Sequence, residues 1–183
     1  MKTPPRLAPL VEDGLIDEVL LQLKSGKEAT VYLVRRGEAR LCAKVYKDVQ
    51  QRSFRQAVQY REGRKVRSSR LARAMEKGSK FGREEQQAHW QNHEVEALYR
   101  LAAAGVRVPR PYGCYDGVLL MEMIEDGEGN VAERLDAFDF SPEEARDFHQ
   151  RLLREVIRML CAGLIHGDLS EFNILVDPDG PVV

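Results

Sequence analysis

Two runs of β-branched, aromatic and other apolar residues near the start of the chain predict a pair of strands. Residues 30–34 read Thr-Val-Tyr-Leu-Val, and residues 41–46 form a second apolar run that contains Lys44. A polar turn with Gly37 separates them, which is typical of a β-hairpin. The run at 16–23 fits a strand as well as a helical turn, so its structure stays open.

A helix and a second hairpin are predicted further along the chain. Residues 85–104 place apolar side chains three and four positions apart, as on one helix face, and Gly105 is a natural stop. Residues 112–115 and 118–124 are two more strand-like runs. The Asp-Gly pair between them favours a tight hairpin turn.

A long helix is predicted to begin after Ser141. This residue precedes proline, and Glu144 completes a capping box, so the local sequence favours a helix start. Gly163 should end the helix, and residues 174–176 and 181–183 read as strands that follow a loop. The predicted buried stripe of the helix consists of Ala145, Phe148, Leu152, Val156 and Met159.

The order of these elements predicts an α+β fold in two parts. A proline-bearing segment, residues 1–14, is expected to be a loose lead-in to a sheet-rich part at 15–125. A glycine-rich acidic connector at 126–130 opens the second part, residues 126–183. Residues 52–83 have weak periodicity, and we expect a mobile or partly helical insertion.

Charge changes this picture only locally. The chain has 28 basic and 29 acidic residues, so its net charge of -1 says nothing about a nucleic-acid partner. Residues 52–83, however, hold eleven basic residues against two acidic ones.

Cys42, Cys114 and Cys161 lack metal-ligand spacing and are expected to be reduced thiols. No apolar run has the length of a membrane span, so the expected location is cytoplasmic.

The strongest chemical signal is the segment His-Gly-Asp-Leu-Ser-Glu-Phe-Asn at residues 166–173. Asp168 is followed five positions later by Asn173, between a buried helix and a strand. A carboxylate that orients and accepts the proton of a hydroxyl, with an amide oxygen as a Mg²⁺ ligand, is what phosphoryl transfer needs. The alternative is an ordinary loop in which both side chains cap turns.

Two further features fit the same chemistry. Lys44 lies inside an apolar strand, where an ammonium needs a partner, and Glu94 on the predicted helix is the natural one. A surface lysine is the alternative. The turn Ser25-Gly26-Lys27-Glu28-Ala29 offers backbone N–H groups and a hydroxyl that could cradle phosphate, although a plain turn would look the same.

Together these motifs resemble the RIO family of atypical serine/threonine kinases. The resemblance rests on residues 25–32 as the phosphate loop and 166–173 as the catalytic loop, in which Ser170 replaces the usual lysine. Trp90 and Glu94 match the start of the glutamate-bearing helix. The basic residues after Lys44 are similar to the loop that RIO kinases insert there. The match covers most of the chain, from about residue 15 onward.

The resemblance implies a two-lobed protein-kinase-like fold that binds ATP and Mg²⁺ and transfers phosphate to a protein hydroxyl, or hydrolyses ATP. It implies Asp168 as the catalytic base and Asn173 as the metal ligand. Met121 would be the gatekeeper, and the backbones of Glu122 and Ile124 would meet the adenine. The implied ATP-binding set is Ser25, Gly26, Lys27, Glu28, Lys44, Glu94, Met121, Glu122 and Ile124.

The resemblance also sets expectations about subfamily and length. There is no room ahead of Ser25 for the winged-helix domain of one RIO subfamily, so the other, Rio1-like type is expected. The family's second metal-binding carboxylate would lie just past Val183, so we expect the chain to be a fragment that ends within the second lobe.

Two other functions stay open at this point. A small-molecule phosphotransferase of the aminoglycoside or choline kinase type shares the H-x-D-x₄-N loop. A non-enzymatic, ATP-dependent ribosome assembly factor is also compatible with the motifs. The resemblance offers small-subunit ribosomal RNA as a partner for residues 52–83, where clustered arginines suit phosphate contacts; the alternative is a solvated loop.

Overall fold

The computed structural model describes residues 2–47 and 93–183 of the chain. Its strands are β1 Glu18–Ser25, β2 Ala29–Arg36, β3 Ala39–Tyr46, β4 Pro111–Tyr115, β5 Val118–Glu122, β6 Leu175–Asp177 and β7 Gly180–Val182. The first five form one antiparallel sheet in the spatial order β1-β2-β3-β5-β4, and β6 pairs with β7 in a separate hairpin. The predicted strands are confirmed, and the open segment at 16–23 belongs to β1 for the most part.

In the described residues three α-helices accompany the strands: α1 Ala8–Glu12, α2 at residues 93–103, and α3 Pro142–Cys161. Single 3₁₀ turns lie at Leu135–Ala137 and Glu171–Asn173. The predicted helix at 85–104 is confirmed over 93–103, and its predicted start lies outside the described residues, as does the basic insertion at 52–83. No helix in the described part of the chain is long and apolar enough to cross a membrane.

The turn residues explain how the second hairpin forms. Asp116 and Gly117, between β4 and β5, have φ values of 43° and 75°. Two successive positive φ values define a type I′ turn, whose twist matches that of antiparallel strands. The Asp-Gly pair predicted this turn correctly, because these residues tolerate the left-handed conformation at low cost.

One face of the sheet is covered by the N-terminal segment. Leu7, Leu10 and Ile16 are buried there, in a single cluster with side chains of β2, β3 and β5 such as Val34 and Leu120. The expectation of a loose lead-in is therefore wrong for this segment. Its prolines suggested irregular structure, but its leucines give it an apolar surface that only the folded sheet can bury. The division into 1–14, 15–125 and 126–183 stays a prediction.

The opposite face of the sheet carries Lys44 and receives helix α2. Alternation along β3 places Cys42, Lys44 and Tyr46 on this face. Val95 and Leu98 of α2 pack there against a cluster that includes Tyr46 and Leu119. A charged side chain is thus held between a sheet and a helix, where it needs a counter-charge.

Helix α3 starts and ends where the sequence predicts. The Ser141 hydroxyl accepts the Glu144 amide at 3.3 Å, and the Glu144 carboxylate accepts the Ser141 amide at 2.8 Å. The predicted stripe is wrong at Ala145, which is exposed together with the rest of the first helical turn. Met159 is buried as predicted, and Phe148, Leu152 and Val156 are half-buried. Glu155 is the unexpected buried residue.

Candidate functional site

Lys44 and Glu94 form an ion pair between β3 and α2. The Lys44 ammonium donates to Glu94 Oε1, and the two side chains are 27% and 28% exposed. The ammonium also lies 5.3 Å from the ring centroid of Tyr46, within range of a cation–π contact. Because both charges are largely removed from water, their attraction is stronger than that of a surface pair.

The second carboxylate oxygen of Glu94 marks an incomplete polar site. Oε2 is buried, and it has no hydrogen-bond partner among residues 2–47 and 93–183. Buried acceptors are nearly always paired, so this oxygen is expected to accept from a water, a bound group or a donor outside the described residues.

The turn Ser25–Ala29 between β1 and β2 is held in shape by Lys47. The Lys47 ammonium donates to Gly26 O at 2.7 Å and to Ser25 Oγ at 3.0 Å, and its amide donates to Glu28 O at 2.9 Å. The side chains of Lys27 and Glu28 are exposed. Sequence reasoning missed Lys47, although the predicted β2–β3 pairing brings the residue after Tyr46 beside this turn.

Residues 121–124, which the resemblance places beside the adenine and which we call the hinge, continue β5 away from the sheet. Met121 pairs with Cys42 of β3 and is half-buried between two hydrophobic clusters. The Glu122 amide donates to Arg110 O at 2.8 Å, and the Ile124 carbonyl accepts the Ala132 amide at 2.9 Å. These bonds fix the direction of the backbone as it leaves the sheet.

Burial also acts on the thiol beside the predicted gatekeeper. Burial raises the pKa of the Cys42 thiol to about 11, which keeps it protonated at neutral pH. The buried Cys42 side chain therefore contributes an apolar surface next to Met121.

The loop after α3 brings Asp168 and Asn173 together. Asn173 Nδ2 donates to the Asp168 backbone carbonyl at 2.7 Å and to its Oδ2 at 3.2 Å. With its nitrogen facing Asp168, the amide turns its Oδ1 away from the carboxylate. Both side chains are exposed.

Local bonds set the shape of this loop. The Asp168 amide donates to His166 Nδ1 at 3.3 Å, so the imidazole supports the loop backbone. Gly167 has a φ of 78°, a conformation that favours glycine. The 3₁₀ turn Glu171–Asn173 then leads into β6, and the Ile174 carbonyl accepts the Leu135 amide at 2.9 Å.

The oxygen atoms of the 166–173 loop suit a metal ion that is bound partly by the protein and partly by a phosphate-bearing ligand. No three His, Cys, Asp or Glu side chains are grouped as a self-sufficient metal site in the described residues. Mg²⁺ is commonly bound by one or two protein oxygens together with phosphate oxygens and water, so Asn173 Oδ1, which points away from the Asp168 carboxylate, fits as one ligand of such a shared site.

Comparison with known proteins identifies the family. The family model described as "RIO domain" matches residues 30–183. This span includes Lys44, Glu94, Asp168 and Asn173. The chain belongs to the RIO family.

Individual relatives agree with this assignment. The chain is 33% identical over 181 residues to the RIO-type serine/threonine-protein kinase Rio1 of Haloferax volcanii, which covers 95% of this chain and 56% of the relative. It is 29% identical over 177 residues to the serine/threonine-protein kinase rio1 of Schizosaccharomyces pombe, covering 92% of this chain and 33% of that protein. The chain thus spans only part of the length of these relatives.

Solved structures extend the likeness to the fold. The Rio2 kinase–ADP/Mg²⁺–phosphoaspartate complex from Chaetomium thermophilum aligns with a TM-score of 0.62 and 21% identity, covering 97% of this chain and 50% of that chain. The protein-kinase-like, two-lobed α+β fold expected from the sequence is confirmed. The RIO domain of this chain supplies the sheet lobe and the part of the second lobe that holds α3 and the 166–173 loop.

Proposed function

We propose that this RIO domain belongs to an ATP-dependent serine/threonine protein kinase that transfers the γ-phosphate of ATP to a hydroxyl. The observation that carries the proposal is the contact between Asp168 and Asn173, in a chain matched by the RIO domain from residue 30 to 183. A carboxylate and an amide in contact, five residues apart, match the base and the metal ligand of the kinase catalytic loop.

The residues around Lys44 fit a nucleotide. Lys44 would contact the α- and β-phosphates while Glu94 keeps its ammonium in place, and the orphaned Glu94 Oε2 leaves an acceptor for a further donor. The turn at 25–28 would cover the phosphates through backbone N–H groups such as that of Lys27, since the Gly26 amide already donates to Ala29 O at 2.9 Å. A similar nucleotide, ADP with Mg²⁺, is present in the Rio2 complex.

The hinge bonds determine which backbone groups are left for an adenine. The Glu122 amide and the Ile124 carbonyl are engaged within the chain. The adenine ring would therefore hydrogen-bond to the carbonyl of Glu122 and the amide of Ile124, with Met121 and Cys42 as apolar neighbours.

The chemistry follows from three side chains. Asp168 would accept a hydrogen bond from the attacking hydroxyl, orient its oxygen, and take its proton as the new bond forms. Asn173 would hold Mg²⁺, and its bond to Asp168 keeps that carboxylate in one orientation. Bound Mg²⁺ supplies charge neutralisation at the phosphate oxygens. Lys44 would stabilise the charge that develops on the departing phosphates.

The phosphoaspartate in the Rio2 complex favours ATP hydrolysis as a second outcome of the same site. In this second outcome a carboxylate of the active site would accept the γ-phosphate of ATP, and water would then hydrolyse the phosphoaspartate to release inorganic phosphate. The names of the relatives favour a protein over a small alcohol as the acceptor. Contact with ribosomal RNA through residues 52–83 and a cytoplasmic location remain predictions from charge and cysteine usage.

The test uses the complete protein in which this chain occurs. We expect Mg²⁺-dependent ATP turnover or autophosphorylation that falls at least about a hundredfold in Asp168→Ala. Asp139→Asn, an exposed carboxylate ahead of α3, is the matched control and should keep full activity. Unchanged turnover in Asp168→Ala would refute the assignment of the base. Robust turnover of one alcohol from a panel would instead identify a small-molecule phosphotransferase.

A further inference from the structure

The loop that follows α2, residues 104–110, is bonded to three separate pieces of the second lobe. The Arg107 amide donates to Glu155 Oε2 of α3 at 2.9 Å. The Arg107 guanidinium forms an ion pair with Asp177 of β6. The Arg107 carbonyl accepts the Val183 amide at 2.8 Å. One residue therefore joins helix, strand and strand end across the boundary between the lobes.

Glu155 of α3 is well placed to bind the backbone of the loop at Arg107. It is 5% exposed, and its other oxygen accepts the Arg158 guanidinium one turn along α3. A carboxylate this deeply buried needs donors on both oxygens, so the Arg107 amide is a required partner and fixes the position of the loop backbone.

The guanidinium of Arg107 reaches the turn of the β6–β7 hairpin. A Cβ on Gly180 would lie 3.6 Å from Arg107 Nη1 and 3.1 Å from Arg151 Nη1, so both arginines lie over this glycine. Arg151 Nη1 also donates to Asp179 O at 3.1 Å. The hairpin is thus fixed to α3 by Arg151 and to the loop after α2 by Arg107.

The same loop is tied to the hinge at its other end. The Arg110 amide donates to Glu122 Oε2 at 3.0 Å, and the Arg110 carbonyl accepts the Glu122 amide at 2.8 Å. Residues 104–110 therefore connect α2, which carries Glu94, to the hinge and to β6, which begins two residues after Asn173.

We propose that Arg107 is a positioning residue that makes α2 and the β6–β7 hairpin move as one unit. Its ion pair with Asp177, which is 16% exposed, holds the Lys44–Glu94 pair and the Asp168–Asn173 pair in a constant spatial relation. The catalytic consequence rests on the proposed phosphoryl transfer; the mechanical coupling does not.

The first test measures amide hydrogen exchange in the nucleotide-free chain. Arg107→Met removes the guanidinium but keeps the backbone bonds, and Asp177→Asn removes the charge but keeps an acceptor for the Asp179 amide. Each variant should raise exchange about tenfold in both 93–103 and 171–177, and the double variant should match either single one. Arg107→Lys keeps the positive charge but lacks the planar, bidentate guanidinium, so its exchange rates should lie between those of wild type and Arg107→Met.

The matched control is Arg35→Met, which removes an exposed ion pair with Glu18 at the far side of the sheet and should leave both segments unchanged. Faster exchange in only one of the two segments, additive effects in the double variant, or no change would overturn the coupling. Because no nucleotide is present, this result stands apart from that of the turnover test.

The second test separates positioning from stability in the complete protein. Below the unfolding temperature of each variant, Arg107→Met should lower kcat for ATP turnover about tenfold while KM for ATP changes less than about twofold. Loss of nucleotide affinity with kcat unchanged would overturn the positioning role. If wild-type protein lacks turnover, the proposed function fails, and the exchange measurement still decides the coupling.

Discussion

The ammonium of Lys44 and the carboxylate of Glu94 form an ion pair that ties the central strand β3 to helix α2. The two residues belong to parts of the chain that flank residues 48–92, so the pair forms only in the folded sheet. It lies on the sheet face opposite the N-terminal segment, which is where we propose that the nucleotide binds.

Replacing Lys44 should abolish most phosphoryl transfer. Lys44→Met removes a charge from the place where phosphate charge develops, and we expect ATP turnover to fall by about a hundredfold or more. Glu94→Gln leaves the lysine in place but without its counter-charge, so the loss should be smaller, about tenfold. Steady-state kinetics with Arg36→Met, an exposed cation of β2, as control would check this order. Equal activity in Lys44→Met and wild type would contradict it.

Asn173 should control the requirement for Mg²⁺. Asn173→Ala removes the amide oxygen that would bind the metal and the donor to Asp168, so half-maximal turnover should need about tenfold more Mg²⁺. A Mg²⁺ titration at saturating ATP measures this shift. Gln150→Ala, an exposed amide on α3, should leave the titration unchanged. An unaltered Mg²⁺ curve in Asn173→Ala would exclude the residue as a ligand.

The N-terminal segment should contribute to the stability of the sheet lobe. Leu10 is 3% exposed in the core cluster, so Leu10→Ala should lower the free energy of unfolding by about 3 kcal/mol. Leu21, on β1, is 45% exposed, and Leu21→Ala should cost under about 1 kcal/mol. Urea denaturation of both variants gives the comparison, and similar losses would show that the segment is not part of the core.

The stability of the fold should depend on Cys42 at alkaline pH. Burial raises the pKa of this thiol from 9.0 to about 11 in the folded chain. Above pH 9 the unfolded thiol ionises first, so its stabilising contribution is complete below pH 9 and is lost toward pH 11, by up to about 1.4 kcal/mol per pH unit.

Cys42→Ala provides the reference for this effect, because it lacks the ionisable group. The difference in unfolding free energy between wild type and Cys42→Ala should narrow as pH rises from 9 to 11, as measured by urea denaturation. A constant difference over that range would mean that the thiol is not protected from solvent.

Local chemistry explains what the sequence predicted well. The type I′ turn at Asp116 and the capping box of Ser141 depend on residues a few positions apart, so they can be read without knowing the fold. The Lys44–Glu94 pair was predicted because a lysine in an apolar strand requires a carboxylate. Its contact is now seen, whereas the roles of both residues in ATP binding remain predictions.

The missed features are all tertiary. Leu7 and Leu10 look like part of an irregular segment until the sheet they cover is known. Arg107 and Asp177 have no local pattern, since an arginine in a loop is usually a solvated one. Lys47 could be found only through the β2–β3 register, which brings it to the Ser25–Ala29 turn.

The pairing of β3 with β5 also has a consequence for how fast the chain folds. β1, β2 and β3 are joined by short turns and can form early, whereas β5 must return across residues 48–92 and α2 to meet β3. Closing such a long loop costs conformational entropy, which is offset only once β3 and β5 have paired. Until then β3 has an unpaired edge, and we expect aggregation of a newly made chain to be most favourable between the synthesis of its third and fifth strands.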